Sequence, residues 1–394
     1  MQKNFQMIDP ETVAKQRRRL MIDIKRRRYY VADYSKSVMA KDTLVAERYF
    51  RVREYIKSRD PGDYGQAWLD ASSSEVWSTK FIGLAENGFQ KLEFQNPPYV
   101  AALKLGGDPR QYNNTFVIQP NGCNFECSFC FVDRELNKPE LGKAKYFSAK
   151  EMVDVFLKER RRYLKEGKEL NVIRLSGGET TCLIPELILD VHDEIEHRNL
   201  SDSVYIWADC NLSTLTYLRD AQDGLSKIAR NKNFGIVGCL KTGGNEQSGQ
   251  NDFAHITKAQ PEYFSKQFEV LGFLVNTIKA DTYVYLVPII YGEKDIYQKR
   301  LHESVLRLLK IHENLPLRTN VLQIRKYSPV EKNIRTAFRE GRPLPKYDDK
   351  NLEYWYQKIF IQTQKTITRI WYEEILPKFY EAAELNTYRC QIPL

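Results

Sequence analysis

The stretch "NTFVIQPNGCNFECSFC" (residues 114–130) joins the pattern of a β-strand to three closely spaced cysteines. Its first part, "NTFVIQP" (114–120), carries the β-branched and aromatic side chains that predict a strand. Cys123, Cys127 and Cys130 follow directly, and no fourth cysteine is nearby. Three thiolates can hold a metal but cannot complete a shell of four sulfur ligands. The sequence therefore predicts a metal-binding loop with one coordination position left open.

The spacing of these cysteines separates two kinds of metal site. A structural zinc site uses four protein ligands, usually as two separate pairs, whereas here C-x3-C and C-x2-C share Cys127 and no second pair follows. Three thiolates on one loop can instead bind three irons of a [4Fe–4S] cluster and leave the fourth iron open to a small molecule. We therefore favour an iron–sulfur cluster over zinc.

Strand-like and helix-like stretches alternate outward from this loop. The stretch 148–167 predicts a helix, in which Ser148 and Glu151 form a capping box. Six strands are predicted, at residues 114–120, 171–179, 203–211, 234–241, 282–288 and 319–327. Such β-α repeats favour a parallel sheet with helices outside it. The predicted fold is therefore α/β, a partial (β/α)6 TIM-like barrel.

The cysteine loop resembles the signature of the radical S-adenosylmethionine (SAM) superfamily. "CNFECSFC" has the C-x3-C-x2-C spacing of that family, with an aromatic residue before the last cysteine. The resemblance implies that Cys123, Cys127 and Cys130 bind a [4Fe–4S] cluster and that Phe129 packs near the adenine of SAM. In the family, the open iron is chelated by SAM, and reductive cleavage of SAM gives a 5′-deoxyadenosyl radical that abstracts hydrogen from the substrate.

A second motif, "SGGE", agrees with this resemblance. Ser176, Gly177, Gly178 and Glu179 end the second predicted strand, as the GGE motif of the family does. The glycines would let backbone groups approach a ligand closely. The resemblance implies that Glu179 accepts hydrogen bonds from the SAM ammonium group.

Two further stretches are similar to the branch that activates glycyl-radical enzymes. "ADCN" (208–211) and "CLKTGG" (239–244) follow the third and fourth strands. The resemblance makes Asp209 and Lys241 candidates to contact the ribose or carboxylate of SAM. The chain departs from this branch at Cys239, where the branch has aspartate, and at Lys258, where it has glycine.

The chain divides into three segments on pattern and composition. Residues 1–110 are predicted as a basic, mainly helical extension for substrate or partner recognition, with a helix over 42–60. Pro and Gly residues over 96–114 mark its boundary. Residues 111–330 form the predicted barrel, and 331–394 form aromatic-rich helices that pack on it.

Most of the net charge of +9 comes from the first 60 residues, where 16 Lys and Arg face 8 Asp and Glu. Two runs dominate, with arginines at 17–19 and 26–28. Such a patch could contact RNA phosphates or an acidic polypeptide. It could equally be a solvated arm whose arginines pair with nearby acids.

The seven cysteines, an odd number in a long chain, argue against a disulfide framework and favour a reduced, cytoplasmic compartment. Neither a secretory signal nor an apolar run of about 18 residues is present, so we expect no membrane association. Cys182, Cys210, Cys239 and Cys390 are expected first as small buried hydrophobes. Any of them could also donate hydrogen to a substrate radical. We expect no auxiliary-cluster domain, since none of them forms a C-x2-C pair.

The leading hypothesis is a radical SAM enzyme that acts on a polypeptide, as a maturase of ribosomal peptides by epimerisation, crosslinking or backbone excision. RNA modification, activation of a glycyl-radical enzyme and a non-catalytic iron–sulfur module are the alternatives. The expected partners are an electron donor of the flavodoxin or ferredoxin type and a peptide or protein substrate. A small partner protein is a further possibility.

Overall fold

The computed structural model describes residues 5–38, 45–53, 97–107, 114–322, 324, 328–342, 344, 346, 350–385, 387 and 389–394. Within these residues the strands are, in chain order, β1 (Ile22–Asp23), β2 (Arg28–Ala32), β3 (Val45–Glu47), β4 (Phe50–Arg53), β5 (Asn114–Ile118), β6 (Ala144–Ser148), β7 (Leu170–Leu175), β8 (Tyr205–Cys210), β9 (Phe234–Leu240), β10 (Thr282–Leu286) and β11 (Thr319–Val321).

Six of these strands form the parallel part of one open sheet. Their order is β5-β7-β8-β9-β10-β11, so each pairs in parallel with the next one along the chain. Helices connect them, at Ala149–Lys165, Pro185–His197, Thr216–Asp220, Gln222–Ile228, Glu246–Thr257, Tyr263–Gly272 and Lys294–Leu309. Parallel strands in sequential order with helical crossovers are the arrangement of a TIM-like barrel. The predicted α/β partial (β/α)6 barrel is confirmed.

The two faces of the sheet have separate cores. One face packs against the helices through residues such as Ile173, Ile206 and Val284. A second cluster fills the barrel interior towards the amino-terminal ends of the strands, which we call the lower end. In this cluster Tyr205 and Trp207 pack with residues of the helix Pro97–Lys104. We expected only a boundary in this region. Proline is tolerated in the first turn of a helix, and "YVAALK" then continues the helix.

The N-terminal segment joins the sheets instead of forming only helices. After the helix Pro10–Met21, β2 pairs with β6 in a small three-stranded sheet, and β4 pairs antiparallel with β5 at the edge of the main sheet. The predicted helix over 42–60 is therefore wrong for residues 45–53, and residues 54–60 lie outside the described residues. Phe50 and Val52 are both buried, which is the period of a strand. The division of the chain at residue 110 stays a prediction.

The C-terminal residues are helical. The helix Ser328–Arg339 is followed by consecutive α-helical and π-helical turns from Leu352 to Ile375. Trp355 and Trp371 are fully buried, so these aromatic residues contribute to the cores and not to a free surface. Across the part of the chain that the structure describes, no helix has both the length and the apolar character needed to cross a membrane.

Candidate functional site

The cysteine loop (residues 122–130) follows the carboxyl end of β5, the end at which barrel enzymes place their chemistry. The amide of Cys123 donates to the carbonyl of Asn137 at 3.2 Å. The amides of Glu126 and Ser128 donate to carbonyls at the end of the helix Glu246–Thr257, at 2.9 and 2.8 Å. The loop therefore has a defined backbone conformation, supported by two other parts of the chain.

The three thiols of the loop are half-buried and influence one another. Burial raises the pKa of Cys123 to about 12 and also raises the pKa of Cys127 and Cys130. The neighbouring loop thiols raise the pKa of Cys127 further, while Lys241 acts in the opposite direction. Because metals bind thiolates, a bound group at this loop has to displace the thiol protons.

The three loop cysteines are not among the tightest groups of possible ligand atoms. Within the described residues, two groups of three His, Cys, Asp or Glu side chains place their ligand atoms within 4.8 Å of one another, and the loop cysteines belong to neither group. The binding of a [4Fe–4S] cluster by Cys123, Cys127 and Cys130 stays a prediction.

The two glycines of "SGGE" are required by packing between two loops. A Cβ on Gly178 would lie 2.1 Å from the carbonyl oxygen of Pro120, and Gly177 has a φ of +105°. The amide of Glu179 donates to the carbonyl of Gly122 at 2.7 Å. We expected these glycines to make room for a ligand. The structure shows them bringing the motif against the cysteine loop, and their predicted close approach to a ligand stays a prediction.

Glu179 is buried and its carboxylate is held by backbone amides. Oε1 accepts from the amide of Cys182 and Oε2 from the amide of Asn211, both at 2.7 Å. Burial raises the pKa of Glu179 well above its ordinary value, although these amides and Lys241 act against the rise. Each carboxylate oxygen keeps lone-pair capacity for a further donor. Glu179 is therefore a fixed acceptor, and its predicted contact with the SAM ammonium group stays a prediction.

Lys241 is a buried cation beside the cysteines. Burial lowers its pKa, but Cys239, Cys127 and Cys123 together hold the pKa above its ordinary value. Among the described residues, no carboxylate oxygen lies within ion-pair distance of its ammonium group. A buried charge without an ionic partner is costly. This lysine is therefore suited to bind a carboxylate or another anion that reaches the loop.

Asp209, in contrast, already has several protein partners. Its carboxylate accepts from Arg174 at 2.6 Å, from the indole of Trp207 at 2.7 Å and from the hydroxyl of Ser176. The Arg174 guanidinium also lies 4.7 Å from the ring centre of Trp207. The structure thus brings Ser176 and Asp209 together, and their predicted role in binding SAM stays a prediction.

Phe129 is buried in an apolar cluster that includes Ile256 and Val287. The end of the helix Glu246–Thr257 thus packs against the cysteine loop. The predicted contact between Phe129 and adenine stays a prediction.

An ionic cluster anchors the loop from outside. Glu126, between the first two cysteines, lies 3.4 Å from both Lys138 and Lys258 and 3.8 Å from Arg134. Burial opposes its ionisation, yet these cations lower the pKa of Glu126 to about 2. Lys258 has the left-handed φ of 66° that favours glycine. Lys258, where the sequence departs from the activating branch, adopts this conformation and pairs with Glu126.

Two asparagines that the sequence did not single out contact the cysteine sulfurs. Nδ2 of Asn137 lies 3.5 Å from Sγ of Cys130, and Nδ2 of Asn211 lies 3.6 Å from Sγ of Cys123. Asn211 directly follows β8, and a polar residue at a strand end could have indicated it. Nothing in the sequence indicates Asn137.

The remaining cysteines occupy different places. Cys182 and Cys210 are fully buried with their sulfurs 3.4 Å apart. Burial raises the pKa of Cys182, but hydrogen bonds from Cys210, Thr214 and Ser213 lower it to about 7. Cys390 packs at the lower end of the barrel, whereas Cys239 hydrogen-bonds with Lys241. Cys239 therefore interacts with Lys241, as Cys123 and Cys127 of the loop do. Donation of hydrogen to a substrate radical by any of the four cysteines stays a prediction.

The arginines of the N-terminal arm contact the barrel. Arg17 donates to the carbonyl of Cys123, and Arg18 pairs with Glu186 at 2.5 Å. Arg27 bonds Asp190 at 2.9 Å and Arg28 bonds Glu151 at 2.9 Å, while Arg19 and Arg26 are exposed. Four of the six arginines therefore make intramolecular bonds, as in the alternative that pairs them with nearby acids.

Comparison with known proteins gives only distant likenesses. No protein-family model matches the sequence, and a search of curated proteins finds no match. Among solved structures, spore photoproduct lyase complexed with dinucleoside spore photoproduct has a TM-score of 0.42 and 13% identity, covering 65% of this chain and 72% of that chain. A mutant of that lyase with bound AdoMet (SAM) has a TM-score of 0.42 and 12% identity, with the same coverage.

Proposed function

We propose that the chain is a radical SAM enzyme that binds a [4Fe–4S] cluster through Cys123, Cys127 and Cys130. The observation that carries the proposal is Lys241, a buried cation beside these cysteines with no carboxylate oxygen within ion-pair distance among the described residues. A structural zinc site uses four protein ligands, whereas this loop supplies three cysteines. A site for the amino-acid part of SAM needs one cation for the carboxylate and one acceptor for the ammonium group.

The residues around the loop supply both groups. Glu179 is a fixed acceptor whose backbone bonds to Gly122 of the loop, and Lys241 shares its surroundings with Cys123 and Cys127. We assign Lys241 to the carboxylate, Glu179 to the ammonium group and Phe129 to the adenine of SAM. When bound, the reduced cluster supplies the electron that cleaves SAM and so generates the radical that abstracts hydrogen. The barrel orients SAM and excludes water that would quench the reaction.

We propose a polypeptide as the substrate, processed as a ribosomal peptide maturase would process it, ahead of RNA. The resemblance to the activating branch supports a large substrate, and an activase role is the second form of this proposal. RNA binding needs free cations along the phosphate backbone. Four of the six arginines are already bonded to the barrel, so fewer cations are free to contact RNA phosphates. This argues against RNA as the substrate. An external flavodoxin or ferredoxin would supply electrons.

The chemistry is tested with protein reconstituted anaerobically with iron and sulfide. We expect reductive cleavage of SAM to 5′-deoxyadenosine and methionine, slow without substrate. Lys241→Met should keep the iron but weaken SAM binding about 10- to 150-fold, because a charge-assisted hydrogen bond contributes about 1.5–3 kcal/mol. Lys266→Met, which removes a surface lysine paired with Glu269, is the control. Iron-loaded protein that never cleaves SAM, or protein that takes up zinc in place of iron, would refute the proposal.

The substrate class is tested at Arg19 and Arg26, the two of the six arginines for which the described residues show no bond to the barrel. Reversing Arg19 and Arg26 to glutamate leaves the internal ion pairs of the other four intact. If the intact chain binds bulk tRNA with a steep salt dependence and this variant does not, RNA replaces the polypeptide as the proposed substrate. If neither binds RNA near physiological salt, the polypeptide proposal stands.

A further inference from the structure

Two of the three loop sulfurs accept hydrogen bonds from buried amide side chains. Asn137 reaches Cys130 and Asn211 reaches Cys123, at 3.5 and 3.6 Å, and both asparagines are at most 6% exposed. Among the described residues, no hydrogen bond reaches the sulfur of Cys127, which has Lys241 and Cys239 nearby instead. The amide donors are therefore placed at the first and last cysteines of the motif.

The orientation of the Asn211 amide is fixed by its neighbours. Its Oδ1 accepts from the amide of Ser213 at 3.0 Å, and its Nδ2 donates to Oδ1 of Asn124 at 2.8 Å. Because the oxygen is committed to a donor, the Nδ2 side must be the one that faces Cys123. The contact with the sulfur is thus an N–H···S bond.

Asn137 holds both ends of the loop at once. Its carbonyl accepts from the amide of Cys123 at 3.2 Å, while its side-chain amide donates to Cys130. Its Oδ1 is buried and has no hydrogen-bond partner. Burying an oxygen without a hydrogen-bond partner costs free energy, and an apolar residue at this position would avoid that cost. A buried amide here therefore points to a function of its N–H group.

We propose that Asn137 and Asn211 are positioning residues that raise the reduction potential of the cluster through N–H···S bonds to its ligand sulfurs. The inference rests on the proposed function, since it needs the cluster at this loop. Reduction adds negative charge to the cluster and its thiolates, and donors to sulfur stabilise that charge. The two donors together would make the cluster easier to reduce by a biological electron donor.

The test is a redox titration of reconstituted protein, followed by electron paramagnetic resonance. Asn137→Leu and Asn211→Leu should each lower the ratio of reduced to oxidised cluster at a fixed potential about tenfold, a shift of 59 mV for a one-electron couple. The two shifts should add, because the donors serve different sulfurs. Asn137→Gln, which keeps an N–H donor, should recover part of the shift.

Asn333→Leu is the matched control. Asn333 is buried and donates to the carbonyls of Cys130 and Val132, so it holds the same loop without touching a sulfur. It should leave the potential unchanged. Unchanged potentials in both Asn137→Leu and Asn211→Leu at full iron content, or an equal shift in Asn333→Leu, would overturn the inference. Should one variant fail to hold iron, the other decides the outcome. Absence of a cluster from the unmodified protein would instead refute the proposed function.

Discussion

The two groups of cysteines at the carboxyl end of the sheet have different surroundings. Cys123, Cys127 and Cys130 are half-buried on one loop, with a buried lysine and two amide donors beside them. Cys182 and Cys210 are fully buried, with their sulfurs 3.4 Å apart. With Glu179, the buried pair even forms a set of donor atoms within 4.8 Å, which the loop does not.

Under the proposed function, the metal site is the loop and not the set of donor atoms that lie closest together. The donors around Cys182 are its own neighbours in the fold, Ser213, Thr214 and Cys210, so the pair is satisfied without a ligand. The loop has beside it the buried Lys241, with no carboxylate oxygen within ion-pair distance among the described residues. We therefore assign the chemistry to the loop and a packing role to the pair.

The largest expected effect concerns iron content. Cys123→Ala, Cys127→Ala or Cys130→Ala should abolish a stable cluster, since each removes one of only three ligands. The double variant Cys182→Ala, Cys210→Ala should still bind about four irons and four sulfides. Iron and sulfide assays after anaerobic reconstitution measure both. Loss of iron from the double variant would show that the buried pair is part of the metal site.

A second prediction concerns Glu179, which lies between the two groups. Glu179→Gln should weaken SAM binding about 10- to 150-fold, the equivalent of about 1.5–3 kcal/mol, because an NH2 group, which cannot accept, replaces one acceptor oxygen for the SAM ammonium group. Calorimetry on iron-loaded protein measures this, with the surface variant Glu269→Gln as control. If Glu179→Gln left the SAM affinity unchanged but altered the uptake of zinc, Glu179 would instead act together with Cys182 and Cys210 as a metal ligand.

The smallest expected effect is on stability. Cys210→Ala should lower the free energy of unfolding by about 1–2 kcal/mol, because a fully buried side chain loses packing and a hydrogen bond. Cys130→Ala, half-buried and measured without iron, should change it by about 0.5 kcal/mol or less. Urea unfolding with an unchanged slope provides the comparison. Equal losses would mean that the loop cysteines are also structural.

The sequence predicted those parts of the fold that depend on local pattern. Six strands with helical connections were predicted correctly because each has a short apolar run of its own. The capping box of Ser148 and Glu151 is present with both of its hydrogen bonds. These features are encoded within a few residues, so an isolated sequence is enough to find them.

The errors concern residues whose structure depends on distant partners. Residues 45–53 carry both strand and helix patterns, and pairing of β4 with β5 decides between them. The helix Pro97–Lys104 is stable inside the barrel because Tyr205 and Trp207 surround it. The arginine runs look like a free surface until their partners, such as Glu186 and Asp190, are placed beside them.

The bonds that attach the N-terminal helix to the barrel have a consequence for the order of folding. Arg17 contacts a residue 106 positions later, and Arg18 contacts one 165 positions later. Contacts over such separations form slowly, since long loops must close first. During synthesis the helix Pro10–Met21 leaves the ribosome early but finds its binding surface only after β7 has been made. We expect this helix to dock late, which pulsed hydrogen exchange during refolding would show as delayed protection relative to β5 and β7.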